Sequence, residues 1–290
     1  MFSEEQKERA RNTDLASLLQ SQGERLKKSG SEYVWRDGSE KVTIRGNVWF
    51  HQYDQEGGDA ISFVERFFHK SFPDAVRFLI GESEAVLQAA PIPKKEPSPI
   101  ELPKKNENMK QVYAYLIKRR GIDKSIIDTF VRNKMLYESA QYHNVVFVGY
   151  NRAGKAAHAH MRGTSTKSSY KVNAENSLPE YSFHWNGADD KLYVFEAPID
   201  MLSYITMNQD HWNLHSYAAA CSTSDKVLFR MLADNPAISH VFLCYDKDEA
   251  GQAAAFRTQQ KLSEEGIASE IMVPKLKDWN EDLLQSFILT

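Results

Sequence analysis

Two stretches decide how this chain reads: "LYVFEAPIDM", residues 192–201, and "VFLCYDKDEAG", residues 241–251. Each is a short apolar run of β type that ends in acid, first Glu196 and then Asp246 with Asp248. A buried strand that ends in carboxylates is costly unless they reach solvent, a cation or a proton. Working outward, the chain alternates strand and helix patterns from residue 191 onward. "KLYVFE" precedes "PIDMLSYITMNQ", "NLHSYAAAC" precedes "SDKVLFRMLADNP", "HVFLCYD" precedes "EAGQAAAFRTQQKLSEEG", and "ASEIMVP" follows. Continuous apolar strands separated by helices indicate βαβ units and a parallel sheet buried on both faces.

In such a sheet, ligands bind at the carboxyl ends of the strands. Glu196, the Asp246–Asp248 pair, and Asp278 with Glu281 in "KLKDWNEDLL" all fall on that one rim. Asp200 lies four residues beyond Glu196 on the next helix, where it either joins them or braces the loop. Helix capping accounts for any one of these acids, but not for three clusters on one edge. Grouped carboxylates raise one another's pKa and cannot all stay ionised without cations. With neither His nor Cys in the group, the matching ions are hard and divalent, Mg²⁺ or Mn²⁺.

The chain has 290 residues, enough for two or three domains, with 42% hydrophobic and 26% charged residues. No apolar run reaches the roughly 18 residues of a membrane span, and the charged start "MFSEEQKERARNTDLASLL" is not a secretory signal. No membrane association is expected, and the location expected is cytoplasmic. The two cysteines, Cys221 and Cys244, read as buried hydrophobes in a reducing compartment. Charge is distributed unevenly. Residues 104–171 carry 14 Lys+Arg against 4 Asp+Glu, whereas residues 172–290 carry 8 against 18. A basic block leading into an acidic one suits a chain that grips phosphates and also holds cations.

Upstream, Thr13 and Asp14 are N-cap residues for a helix that stops at Gly23. Residues 32–58 alternate aromatic or β-branched with polar residues, and turn signals at Asp37-Gly38, Gly46-Asn47 and Gly57-Gly58 divide them into a small antiparallel sheet. Two helices follow, one capped by Asp59 and one with Pro73 in its first turn. Residues 83–108 hold five of the ten prolines and read as a stiff linker. Then come two helices broken at Gly121 and a hairpin around Asn151–Gly154. The expected organisation is 1–82, 83–108 (linker), 109–190 (basic, α+β) and 191–290 (α/β).

"FEAPID" and "YDKDEAG" resemble the two signature stretches of the Toprim family, a strand ending in Glu followed by a strand ending in Asp-x-Asp. "YLIKRRGID" and "NVVFVGYNRAGKAAHAHMRG" resemble the first half of the bacterial-type DNA primase polymerase core. "GGDAISFVERFFHKSFPDAVRFLIG" resembles the end of the primase zinc-ribbon domain. In order, residues 10–285 parallel zinc ribbon plus polymerase core, of the compact kind carried by plasmids and integrative elements. The resemblance implies an α/β fold with a C-terminal Toprim domain, a basic α+β subdomain, and a small antiparallel β domain with helices. It implies that Glu196 acts in acid/base work and that Asp246, Asp248 and Asp200 hold Mg²⁺ or Mn²⁺ along with Glu196 and Asp278.

Two departures matter. Residues 30–60 contain no cysteine, and His51 is their one histidine. A zinc ribbon needs four N/S ligands, so no zinc is expected there. Trp35, Trp49, Phe50 and Tyr53 then either form the core of the small sheet or present a stacking face to bases. The primase Lys-Tyr-x-Asn stretch aligns ambiguously on Tyr170, Lys171 and Asn173. Phosphate contacts are expected from Arg162 and Lys171, and from part of the run Lys118, Arg119 and Arg120, since three consecutive helical residues cannot share one face. His158 and His160 share one strand face, a weak metal signal.

The expected activity is primase-like, metal-dependent nucleotidyl transfer on single-stranded DNA, in replication or transfer of a mobile element. Partners are nucleotides, single-stranded DNA, and replication or conjugation proteins. A non-catalytic DNA-binding accessory protein and a Toprim nuclease are the alternatives. No segment supplies the separate tyrosine domain of a topoisomerase, and no helicase-interaction domain is expected after residue 290.

Overall fold

The computed structural model describes residues 2–37, 40–52, 56–82, 99–165, 170–221 and 224–289. Residues up to 82 belong to one compact unit and residues from 99 onward to another. In the first unit, α1 (Glu4–Arg11) and α2 (Leu15–Ser21) precede five strands: β1 (Leu26–Ser29), β2 (Glu32–Asp37), β3 (Glu40–Arg45), β4 (Val48–His51) and β5 (Glu56–Gly58). These pair antiparallel in sequence order. Two helices, α3 (Ala60–Phe67) and α4 (Phe72–Glu82), complete it. Asp14 caps α2 by accepting from the Ser17 N–H at 2.7 Å, and Asp59 caps α3 through the Ser62 N–H at 3.0 Å.

Gly57-Gly58 is not a turn but the body of β5. A Cβ on Gly57 would lie 2.6 Å from the Trp49 carbonyl oxygen, and one on Gly58 would lie 2.0 Å from Ser62 Oγ. Glycine is required for close packing, not for chain reversal. The Asp37-Gly38 turn signal and Tyr53 fall at least partly outside the described residues.

Trp35 and Trp49 are core residues. Trp35 packs 5.4 Å from both Phe63 and Phe67, and its Nε1 donates to Glu24 at 3.0 Å. Trp49 lies 5.1 Å from Phe67 and donates to the Asp59 carbonyl at 3.1 Å. His51 is buried in the same layer, whereas Phe50 points outward, 41% exposed.

In the second unit, α5 (Lys110–Tyr113) runs into a π turn over Ala114–Arg119, and α6 (Lys124–Arg132) follows after Gly121. Gly121 has a φ of 71°, the left-handed region that glycine enters without strain. Four strands, β6 (Leu136–Glu138), β7 (Val145–Tyr150), β8 (Ala156–Arg162) and β9 (Lys171–Asn173), form an antiparallel sheet. Part of the expected linker, 83–98, lies outside the described residues. Its later part is fastened to this sheet. The Tyr137 hydroxyl donates to the Pro103 carbonyl at 2.6 Å, and the Asn106 and Ala140 N–H groups bond the Glu138 and Lys104 carbonyls.

The remaining elements are β10 (His184–Trp185), β11 (Lys191–Phe195), α7 (Pro198–Met207), β12 (Ser216–Ala219), α8 (Lys226–Asp234), β13 (His240–Leu243), α9 (Glu249–Glu264), β14 (Ala268–Ile271) and α10 (Trp279–Leu289). The strand order is β10-β12-β11-β13-β14, parallel throughout except for the short edge strand β10. That edge makes the sheet mixed rather than purely parallel. Residues alternate between two cores. Leu192, Val194, Val241 and Leu243 face one, with α8 and α9; Tyr193, Phe195 and Tyr217 face the other, with α7 and α10. The second core also takes in Leu116, Ile127, Phe130 and Phe147. The basic and acidic segments, separable by composition, therefore share one hydrophobic core.

Replacing Trp35 by Ala in the full chain should cost about 3–5 kcal/mol, through lost burial and the cavity left behind. Chemical denaturation followed by circular dichroism measures this.

Candidate functional site

The chain steps from β11 through α7 to β12, then back across β11 to β13. The direction of strand addition therefore reverses at β11, and the crevice between β11 and β13 is the topological switch point where ligands bind in such sheets. Glu196 follows β11 directly, and Asp246 lies three residues past β13. Both line a cavity of about 680 Å³, together with Asp200 and Asp278. The sequence thus places four of its six candidate acids around one space, and Asp248 and Glu281 lie outside it.

Local chemistry explains each position. Asp200 sits in the first turn of α7 and is buried, 6% exposed. A Glu196 carboxylate oxygen accepts the Asp246 N–H at 3.3 Å. Gly251 brings α9 up against this pair, since a Cβ there would lie 2.5 Å from both the Asp246 carbonyl and a Glu196 carboxylate oxygen. Asp278 accepts the Glu281 N–H at 2.8 Å, so it also stabilises the start of α10. Asp248 is exposed and does not line the cavity. It is the N-cap of α9, accepting from the Gly251 N–H at 2.8 Å, and acts on the site through its charge.

The electrostatics are adverse. Burial raises the Glu196 carboxyl, and the Asp248 charge adds to this. Burial lifts Asp200 well above the usual carboxylate range, reinforced by Asp246 and Asp278. Asp246 is pushed up to about 7, by burial first and then by Glu196, Asp278 and Asp248, with Lys277 opposing. Its Oδ1 is buried with no hydrogen-bond partner among the described residues. An orphaned carboxylate oxygen amid like charges fits a hard divalent cation. Glu196, Asp200, Asp246 and Asp278 are the residues that would hold it. No three His, Cys, Asp or Glu side chains among the described residues are gathered into one metal-binding group. An ion here would take one or two carboxylates and complete its shell with water or phosphate oxygens, the usual manner of Mg²⁺.

Cations line the cavity as well. Arg120, Arg162, Lys171 and Lys277 line the same cavity. Arg162 on β8 and Lys171 on β9 are directly opposed in register. Two cations facing one another across a strand pair repel, and an anion between them would reverse the sign of that term. Lys118 and Arg119 are exposed and do not line the cavity, so of the run 118–120 Arg120 alone turns inward. His158 and His160 do share a face of β8, but His160 Nδ1 is engaged with Asn173 Oδ1 at 2.7 Å. Burial drives the His158 imidazole down to about 4, which keeps it neutral. Cys244 is buried as expected. Cys221 is half-buried at the cavity wall instead, with its thiol pushed up to about 12 by burial, in a form that is not nucleophilic.

Sequence reasoning missed Asn280, Lys277 and Gly251 as members of the site. "KDWNED" and "DEAG" held the clue, since each lies one helical turn or less from an acid already singled out.

A group whose pKa is raised on folding stabilises the fold below its unfolded pKa and loses that contribution as pH rises through its folded pKa. For Asp246 the window runs from about pH 4 to pH 7. Asp246→Asn should therefore stabilise the metal-free protein by about 2 kcal/mol near pH 8, a figure discounted for partial exposure, and by little near pH 4. Thermal melts at the two pH values check this, and added Mn²⁺ should raise the wild-type transition more than that of the variant.

Residues 114–189 match a family described as a protein of unknown function, DUF3991, and residues 193–283 match the Toprim-like family. An uncharacterized protein of Bacillus anthracis, pXO2-78, is 26% identical over 271 residues, covering 87% of this chain and 78% of that one. The primase fragment of the bacteriophage T7 primase-helicase protein is similar at 17% identity and a TM-score of 0.49, over 90% of this chain and 92% of that chain. The Aquifex aeolicus primase, in its zinc-binding and RNA polymerase domains, is similar at 16% identity and a TM-score of 0.39, over 99% of this chain and 85% of that chain. With Glu196 and Asp246 at the switch point of a sheet that spans the matched residues, the chain carries a Toprim-like domain over residues 193–283, directly behind a segment of the DUF3991 family.

Proposed function

We propose that this chain is a primase-like nucleotidyltransferase that joins nucleotides on single-stranded DNA, in replication or transfer of a mobile element. One observation carries the reading: a single cavity is lined by both acids and cations. Glu196, Asp200, Asp246 and Asp278 line it together with Arg120, Arg162 and Lys171. Neither set alone suits a common ligand, whereas a phosphate chain with a divalent ion satisfies both. The cavity volume is within the range of small-molecule sites and admits a nucleoside triphosphate. The primase-like order of segments upstream of the Toprim-like domain favours synthesis over cleavage. The plasmid designation in the name of the Bacillus anthracis relative supports the mobile-element setting.

In this reading, Arg162 and Lys171 grip the triphosphate between them, and Arg120 neutralises it from the side. The 3′-hydroxyl of the growing chain attacks the α-phosphorus, the bond to the bridging oxygen breaks, and pyrophosphate leaves. Glu196, whose carboxyl pKa is raised by burial, takes the hydroxyl proton. A divalent ion, when bound, supplies charge neutralisation at the phosphates and acidifies the attacking hydroxyl. Asp246, Asp200 and Asp278 hold that ion and thereby relieve their mutual repulsion.

Incorporation of labelled nucleotides on a single-stranded template, with Mg²⁺ or Mn²⁺, is the direct test. Asp246→Asn should lower it by ~10²-fold or more. Degradation of the template without nucleotides would replace synthesis by nuclease action. Metal-independent DNA binding unaffected by Asp246→Asn would leave only an accessory role. Arg162→Ala should weaken single-strand binding and reduce the log–log salt slope by about 0.7, the loss of one phosphate contact.

A further inference from the structure

Asn280 stands second in α10, 2% exposed, at the base of the cavity. All the hydrogen-bonding capacity of its side chain that the geometry defines is directed. Its Oδ1 accepts from Arg120 Nη1 at 3.0 Å. Its Nδ2 donates to the Arg120 carbonyl at 2.8 Å and to Ser203 Oγ at 2.9 Å. The Ser203 hydroxyl in turn donates to the Ile199 carbonyl at 2.7 Å, within the first turns of α7. The orientation of the amide is therefore unambiguous, since reversing it would set donors against donors at Arg120. The guanidinium has a second restraint. Its Nε donates to the Tyr115 hydroxyl at 2.9 Å, and its plane lies 5.2 Å from the Tyr115 ring centroid.

We infer that Asn280 is the positioning residue of the cavity: its side chain fixes the guanidinium of Arg120 and ties it to Ser203 on α7, the helix that carries Asp200. One residue thus ties a cation from the basic segment to the helix of the Toprim-like domain that carries Asp200. This rests on the reading of the cavity as a phosphate site, and it explains why Arg120 is restrained when its neighbours Lys118 and Arg119 are exposed. An unrestrained arginine would fold back onto the nearby carboxylates and neutralise them. Held by Asn280 and Tyr115, it stays available to a phosphate, and the acids stay available to a cation.

The test is calorimetric titration of inorganic tripolyphosphate with Mg²⁺ into the full chain. Asn280→Ala and Arg120→Ala should each weaken binding about tenfold, the scale of one charge-assisted hydrogen bond. The double variant should bind no more weakly than Arg120→Ala alone, because both changes remove one restrained guanidinium. A merely structural role would lower the melting temperature without that non-additivity. If Asn280→Ala does not fold, Ser203→Ala replaces it. A loss of about threefold in the presence of Arg120, and none in the Arg120→Ala background, supports the inference. Wild-type affinity in a folded Asn280→Ala or Ser203→Ala variant overturns it, as do additive losses. Tripolyphosphate binding that depends on Asn280, in a protein that incorporates no nucleotides, would sink the proposed activity and leave the positioning role standing. No binding by the wild type would overturn both.

Discussion

Burying Asp200 and partly burying Glu196 and Asp246 at adjacent strand ends places like charges where water screens them poorly. Their repulsion, added to desolvation, opposes folding whenever all three are ionised. The structure does not relieve this from within. Asp246 Oδ1 has no partner among the described residues, and Lys277 offsets only part of the repulsion. A fold selected for stability alone would have replaced these acids by amides or apolar groups at little cost to shape. Keeping them is the kind of local strain that function explains.

The surrounding architecture holds the acids in that unfavourable state. Tyr193 stacks on Phe242 at 4.5 Å and on Tyr217 at 5.4 Å, tying three parallel strands by their side chains as well as by their backbone bonds. Trp279 Nε1 donates to the Cys244 carbonyl at 2.9 Å, which locks the start of α10 to the end of β13. Gly251 leaves no room between α9 and the Glu196 carboxylate. The acids therefore cannot separate by loop movement. Relief comes from a proton or a cation.

Much of this is legible in the amino-acid sequence. Apolar runs ending in Glu196 and Asp246 specify strands and rim together, because a strand buried on both faces can carry charge only at its ends. Asp14, Asp59 and the hairpin turn at 151–154 are governed by local chemistry, and local chemistry is what a sequence displays. The π turn at 114–119 carries no compositional mark, yet it decides which of three consecutive cations faces inward. Gly57-Gly58 has the composition of a turn and the environment of a strand, a difference made by Trp49 and Ser62 packing against it. The pairing of Asn280 with Arg120 spans 160 residues and has no local signal at all.

That pairing bears on why the two segments belong in one chain. The cations Arg120, Arg162 and Lys171 come from the basic segment, and Glu196, Asp200 and Asp246 from the Toprim-like domain. Domains joined only by a linker move relative to one another, so a cation and an acid divided between them would not keep hydrogen-bonding distances. Here Leu116, Ile127, Phe130 and Phe147 pack in the same core as Phe195, Tyr204 and Trp279. The core makes the two segments one body, and the Asn280 amide ties Arg120 to α7 within it. A Toprim-like sheet alone would present its acids without the cations. The fused core brings both sets of charges to one cavity before any ligand arrives.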